Sequence, residues 1–119
     1  MEPAASTQVQ AGPAPGCVCP DFHAAIELIG KRWTGAIVSA LTEQPLRFGE
    51  LRKAIPGLSD RLLSQRLREL EEEGLVGREV EAGTPVRVTY SLTEVGEDLG
   101  PALAELKSWA KRWKCDDTA

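Results

Sequence analysis

Three thiols and one imidazole are the most reactive side chains in this sequence, and they belong to Cys17, Cys19, Cys115 and His23. Cys19 directly precedes Pro20, a residue type that is common in the first turn of a helix. The positive end of the helix dipole favours the thiolate form of a cysteine at that place. The sequence therefore marks three candidates for redox chemistry, Cys17, Cys19 and Cys115.

Other chemistry at these groups has less support. Cys17, Cys19 and His23 offer three ligands that suit zinc, but their spacing matches no standard zinc pattern. A Cys-x-Cys thiol oxidoreductase is the enzyme alternative, yet no alternation of strands and helices is present to carry such a site. The sequence also lacks a catalytic Ser/His/Asp set and a phosphate-binding glycine loop. We expect no metal, no cofactor and no enzymatic activity. Burial as small apolar side chains is the alternative to sensing for the cysteines.

Positive charge is concentrated in one segment of an acidic chain. The 119 residues include 14 Lys or Arg and 18 Asp or Glu, for a net charge of -4. Residues 47–68 hold six basic and two acidic residues, for a charge of +4. Residues 1–46 hold two basic and four acidic residues (-2), and residues 69–119 hold six basic and twelve acidic residues (-6). The average charge argues against a protein that coats nucleic acid. The local reversal instead favours a small basic contact surface for DNA.

The clearest predicted helix coincides with this basic segment and runs from Ser59, a favourable N-cap, to Glu73, with Gly74 after it. One face carries leucines at helical spacing, namely Leu63, Leu67 and Leu70. The opposite face carries Arg61, Ser64, Gln65 and Arg68. Arginine can bind guanine or phosphate, glutamine can pair with adenine, and serine can make either contact. Because an acidic run, Glu69–Glu73, would repel DNA, we expect the N-terminal half of the helix to enter a major groove.

The other elements must position this helix, and the apolar spacing predicts their order. They are a helix from near Pro20 to Gly30, a helix at Thr34–Leu41, a helix marked by Phe48, Leu51 and Ile55, strands at Leu75–Glu81 and Val86–Leu92, and a last helix capped by Thr93 that runs through Trp113. We expect Pro101 to kink the last helix. The order fits a mainly α protein with a small β-wing, a winged helix-turn-helix, although an unrelated small α+β domain has the same order.

The chain divides into a disordered lead-in and one domain. Residues 1–16 are rich in Pro, Ala, Gly and Gln and are predicted to be disordered, whereas residues 17–119 form the domain. No secretory signal and no apolar run of about 20 residues are present. Three cysteines do not make a disulfide scaffold. We therefore expect a cytoplasmic protein, associated with the nucleoid and without a membrane partner.

Several stretches carry a family resemblance in combination. They are CP at 19–20, ELIGKRWT at 27–34, RFGELR at 47–52, LSQRLRELEEEGLV at 63–76 and PVRVTYSLT at 85–93. In this order they resemble the HxlR-type branch of the MarR-like winged-helix transcription regulators, over about residues 19–113. The resemblance implies a homodimeric repressor that binds an inverted repeat in double-stranded DNA. It also implies a long C-terminal dimerisation helix.

The resemblance implies that the fourth helix enters the major groove and that the wing approaches the minor groove, and the basic segment coincides with the third and fourth helices. The predicted DNA-binding residues are Arg47, Arg52, Ser59, Arg61, Ser64, Gln65, Arg66, Arg68 and Arg87. The wing tip at residues 81–85 contains no basic residue, which departs from expectation and leaves Arg87 as the wing contact.

The dimer is supported by an apolar stripe on the last helix that contains two Trp, although such a stripe can also cap the monomer's own core. Because relatives pair through their first and last helices, the predicted interface comprises Phe22, Ile26, Leu99, Leu103, Leu106, Trp109 and Trp113. Some HxlR-type regulators sense electrophiles, quinones or oxidants through a cysteine at this CP position. A small electrophile or quinone is therefore the candidate effector. Two alternatives stay open: a winged-helix module for protein–protein contacts, and a regulator that responds to a small ligand without thiol sensing.

Overall fold

The computed structural model describes Gly16 and residues 19–114. Residues 1–15 of the predicted disordered segment lie outside the described residues, as do Cys17 and Cys115. Two units make up the chain, residues 1–31 and residues 32–119.

Within its described residues, the first unit forms helix α1 (Pro20–Ile29). Pro20 occupies the start of the helix, where its missing N–H leaves no intrahelical hydrogen bond unmade. The Gly30 N–H donates to the Ile26 carbonyl oxygen at 2.7 Å, where the helix ends. The predicted helix and its end at Gly30 are therefore confirmed, and no α1 residue is buried.

The second unit contains the helix-turn-helix and the wing. Its elements are α2 (Thr34–Glu43), β1 (Leu46–Arg47), α3 (Phe48–Ala54), α4 (Asp60–Glu72), β2 (Val76–Glu81), β3 (Arg87–Leu92), α5 (Glu94–Asp98) and α6 (Gly100–Trp113). Helix α2 continues two residues past its predicted end at Leu41. The residue after the helix, Gln44, is its C-cap and is extended, because Pro45 disfavours a helical conformation in the residue before it.

The core lies where α2, α3 and α4 meet the base of the hairpin. Its buried apolar side chains are Ile37, Val38, Leu41, Leu51, Ile55, Leu58, Leu63, Leu67, Leu70, Leu75 and Val76. Helix α4 places its three predicted leucines in this core, and Ser59 caps it by accepting a hydrogen bond from the Leu62 N–H at 3.1 Å. The predicted apolar face and N-cap of this helix are confirmed.

The sheet has three antiparallel strands in the order β1-β3-β2, one more than the predicted two-stranded wing. Strand β1 adds to β3 through the pairs Leu46–Tyr90 and Arg47–Thr89. Two residues are too short to show the alternation that identifies a strand, so the sequence pattern carries no sign of β1. By pairing with β3, β1 joins the start of α3 to the wing.

The predicted single last helix is wrong, because the segment forms two helices, α5 and α6, separated at Leu99. Thr93 caps α5 as predicted, accepting a hydrogen bond from the Gly96 N–H at 3.2 Å. Pro101 does not kink a continuous helix but stands at the start of α6. Proline lacks the N–H that a helix interior requires, whereas the first turn tolerates it. Among the described residues, none of the helices has the length and apolarity needed to cross a membrane.

Candidate nucleic-acid interface

The outer side of α4 carries four polar side chains on one surface, which we call the reading face: Arg61, Ser64, Gln65 and Arg68. All four are exposed, and together with Glu69 and Glu72 they line a shallow groove of about 550 Å³. On the inner side of the helix, Leu63, Leu67 and Leu70 are at most 1% exposed. Since the leucines fix the rotation of α4, the structure brings the four predicted side chains together on an accessible surface.

Two predicted arginines precede α4, and one of them, Arg52, lies beside the start of this helix. Arg52 in α3 forms an ion pair with Asp60 in the first turn of α4, and both side chains are largely exposed. Arg47 is exposed at the N-cap of α3, where its N–H donates to Glu50 Oε1 at 2.8 Å. A pair between exposed charges contributes little to stability. The ion pair with Asp60 therefore costs little to break, and the Arg52 guanidinium could bind a phosphate instead.

Arg66 has different surroundings from the reading face. Its side chain is 15% exposed, its Nε donates to the Arg32 carbonyl oxygen at 2.9 Å, and its Nη1 donates to the Glu69 carboxylate at 3.2 Å. Ser59 is likewise occupied, because its hydroxyl caps α4. Both side chains are therefore engaged within the protein, as are Arg52 with Asp60 and Gln65 with Glu69.

The wing brings one basic residue towards its tip. Arg87 is exposed at the start of β3 and lies opposite Glu81 of β2 in the register of the sheet. The intervening residues 82–86 are exposed and contain no basic side chain. Val80 and Val86 are more than half exposed. The wing therefore presents mixed charge and apolar surface rather than a basic finger.

Two carboxylates on the groove were not predicted. The sequence places Glu69 and Glu72 in an acidic run that is expected to point away from DNA, but both line the same groove as the reading face. Each stands four residues after a reading-face residue, Gln65 or Arg68, and this spacing places side chains on one face of a helix. That spacing was the available signal. A carboxylate on such a surface can accept a hydrogen bond from cytosine.

The predicted dimer residues differ in exposure. Leu99 and Leu103 are half-buried. Leu106, Trp109 and Trp113 share one face of α6 and are 55%, 47% and 71% exposed. In the first unit, Phe22 and Ile26 of α1 are 62% and 50% exposed. Three of the exposed members, Phe22, Trp109 and Trp113, are aromatic, a type enriched in protein interfaces.

Of the candidate thiols, Cys19 lies within the described residues. It is a free, exposed cysteine at the N-cap of α1, and its carbonyl oxygen accepts from the His23 N–H at 2.9 Å. His23 itself is exposed. Cys17 and Cys115 lie outside the described residues. In the part of the chain that the structure describes, no group of three or more His, Cys, Asp or Glu side chains is arranged to hold a metal ion.

A core of three helices, an exposed polar face on the last of them and an antiparallel wing define a winged helix-turn-helix DNA-binding protein. The profile of the family described as HxlR-like helix-turn-helix matches residues 28–118. The chain belongs to this family and is a DNA-binding transcriptional regulator. The family is one of regulators and not a class of enzymes.

Two relatives from Bacillus subtilis (strain 168) show how much of the chain is shared. The HTH-type transcriptional regulator YvaP is 48% identical over 96 residues, which cover 81% of this chain and 89% of YvaP. The HTH-type transcriptional regulator YodB is 42% identical over 96 residues, covering 81% of this chain and 86% of YodB.

Solved structures of related regulators are also similar to this chain. Reduced YodB superimposes with a TM-score of 0.73 at 41% identity, covering 82% of this chain and 96% of that one. YodB bound to a quinone superimposes with a TM-score of 0.70 at 38% identity, covering 81% of this chain and 100% of that one. The redox regulator HypR in its reduced form superimposes with a TM-score of 0.74 at 36% identity, covering 77% of this chain and 91% of that one.

Proposed function

We propose that this regulator acts as a homodimeric repressor that reads an inverted repeat through the reading face of α4. The observation that carries the proposal is the exposure of Arg61, Ser64, Gln65 and Arg68 on one side of a helix whose other side is anchored in the core. These side chains match the donors and acceptors of base edges in the major groove. The expected place of action is the nucleoid DNA of the cytoplasm.

A gel-shift titration tests the reading face. The probe is the DNA upstream of the protein's own gene, with Gln65→Ala and Arg68→Ala compared with wild type. Each loss of a base contact reduces affinity by about 1–3 kcal/mol, roughly 5- to 150-fold. Gln44→Ala and Lys111→Ala are the matched controls, because both residues are exposed outside the reading face. Unchanged affinity in both reading-face variants would show that α4 does not read the DNA.

The homodimer is supported by the apolar face of α6. Leu106, Trp109 and Trp113 expose a surface that a monomer leaves in water. A two-fold dimer presents its recognition helices about 34 Å apart, one turn of DNA. Sedimentation velocity of Trp109→Ala is expected to show a shift towards monomer at concentrations where wild type is dimeric. An identical distribution for the two proteins would remove this face from the interface.

Thiol sensing through Cys19 is the proposed input. Its support is the exposed thiol at the N-cap of α1, together with the quinone-bound structure of the related YodB. Operator binding titrated with diamide or a quinone is expected to change in wild type and to stay constant in Cys19→Ser. If wild type is as insensitive as Cys19→Ser, the thiol has no sensory role.

A further inference from the structure

The loop that leads into α2 holds a strained tryptophan against the turn of the helix-turn-helix. Trp33 has a φ of 76°, in the left-handed region that bulky side chains rarely adopt. Its ring is packed against Gly57, where an added Cβ would stand 3.5 Å from the ring atom Cη2. The Arg32 guanidinium lies 5.2 Å from the centre of the same ring. Such a conformation persists where the surroundings over-determine it.

Arg66 connects this loop to the recognition helix. From α4 its Nε donates to the Arg32 carbonyl oxygen, 34 residues earlier in the chain, at 2.9 Å. Its Nη1 lies 3.2 and 3.3 Å from the two oxygens of Glu69. The side chains of Arg66 and Glu69 are 15% and 24% exposed, so the contact between them is partly shielded from water, whereas the contact with the Arg32 carbonyl lies at the surface. Hydrogen bonds to charged groups in such places are stronger than ordinary ones.

The same carboxylate also reaches the reading face. Gln65 Nε2 donates to Glu69 Oε2 at 3.4 Å, at the long end of the hydrogen-bond range. A glutamine that pairs with adenine must present its oxygen and nitrogen in a defined order. Because a carboxylate accepts hydrogen bonds and does not donate them, Glu69 holds Gln65 through the amide nitrogen and leaves the amide oxygen unbound by Glu69.

We propose that Arg66 is a positioning residue for DNA recognition and does not itself contact DNA. It links the Arg32–Trp33 loop to α4 and, through Glu69, holds the amide of Gln65. The planar fork of arginine makes bonds in two directions at once, which a lysine ammonium does not reproduce. The sequence predicts Arg66 to be a DNA contact, and the two roles give different results in a binding measurement. This inference rests on the proposed reading of DNA by α4.

The first experiment measures binding as a function of salt. The probe is a duplex that wild type selects from a random-sequence library, and the variants are Arg66→Met and Arg66→Lys. Because residues that do not touch the ligand modulate binding modestly, we expect Arg66→Met to bind DNA roughly 2- to 30-fold more weakly than wild type. The slope of log affinity against log salt is expected to equal that of wild type, with Arg66→Lys giving at most partial recovery. A slope reduced by about 0.9 would instead show a direct phosphate contact and overturn the proposal.

The second experiment needs no DNA and separates this inference from the proposed function. The Ile37 N–H donates to the Trp33 carbonyl oxygen at 3.0 Å and therefore reports on the loop. In Arg66→Met we expect exchange of the Ile37 amide to accelerate at least tenfold, while the Leu75 amide, bonded to Leu70, stays protected.

Arg78→Met is the matched control for loss of a cation that pairs with an α4 glutamate, because Arg78 lies 3.8 Å from Glu71. It is expected to leave exchange at Ile37 unchanged. Unaltered exchange at Ile37 in Arg66→Met would contradict the link. If wild type selects no duplex, the proposed function fails, and the exchange measurement still decides the role of Arg66 in the loop.

Discussion

Gly96 is the position at which one methyl group should damage the fold most clearly. It is the buried residue of α5, at the point where this helix crosses the base of the wing. Helix propensity alone favours Gly96→Ala by about 1 kcal/mol. However, the added Cβ would lie well inside contact distance of the Leu75 carbonyl oxygen and 3.1 Å from Leu92 Cδ2.

The Leu75 carbonyl cannot easily move, and this sets the size of the stability loss expected for Gly96→Ala. Leu75 O accepts the Thr93 N–H at 2.9 Å, and the Thr93 hydroxyl in turn caps α5 at Gly96. Relief of the overlap must shift α5 or break that hydrogen bond. Overpacking against fixed backbone costs about 3 kcal/mol, at the upper end of the usual range. After the propensity gain, we expect Gly96→Ala to lower the free energy of unfolding by about 2 kcal/mol.

Thermal unfolding followed by circular dichroism at one fixed protein concentration measures the effect. For a domain of this size, about 2 kcal/mol corresponds to a Tm lower by about 8–16 °C. Gly49→Ala is the control, since it lies in helix α3 with no atom within 4 Å of an added Cβ, and it should be neutral or slightly stabilising. A Tm for Gly96→Ala equal to or above wild type would refute the packing described for α5.

Two further changes test the anchoring of the recognition helix. Ser59→Ala removes the acceptor for the Leu62 N–H and should lower the free energy of unfolding, measured by urea denaturation, by about 1 kcal/mol. Ser59→Asp is the control, because it retains a side chain that can cap the helix. Equal stability of the two variants would mean that the cap contributes nothing. Leu67→Ala removes most of a core side chain that is 1% exposed and should lower the free energy of unfolding by about 2–5 kcal/mol. A loss below about 1 kcal/mol in the same assay would contradict the burial of this face.

Local patterns were sufficient to predict α4 and its reading face. The spacing of leucines, the cap at Ser59 and the stop at Gly74 all act within one helix, so the sequence contains the information directly. The hairpin was predicted for the same reason, because strand alternation is visible over six residues in β3.

Features that depend on contacts distant in sequence were not predictable. Strand β1 exists through pairing with β3, more than 40 positions later. The partner of Arg66 is a backbone carbonyl at Arg32, and carbonyls leave no mark in the sequence. The division into α5 and α6 does have a local signal, Pro101, but the signal is ambiguous. A proline in an apolar stripe permits either a kink or the start of a new helix, and the position of Pro101 at the beginning of α6 is the tolerated one.

The central claim, that the reading face of α4 selects DNA sequence, is tested most directly by a base-pair substitution scan. Wild type and Gln65→Ala are titrated against a selected duplex and against its single-base-pair variants. We expect Gln65→Ala to lose discrimination between base pairs, by about 1–3 kcal/mol, at one symmetric position in each half-site and to keep it elsewhere. A Gln65→Ala profile that parallels wild type at every position, or a uniform loss across all of them, would show that Gln65 does not read a base.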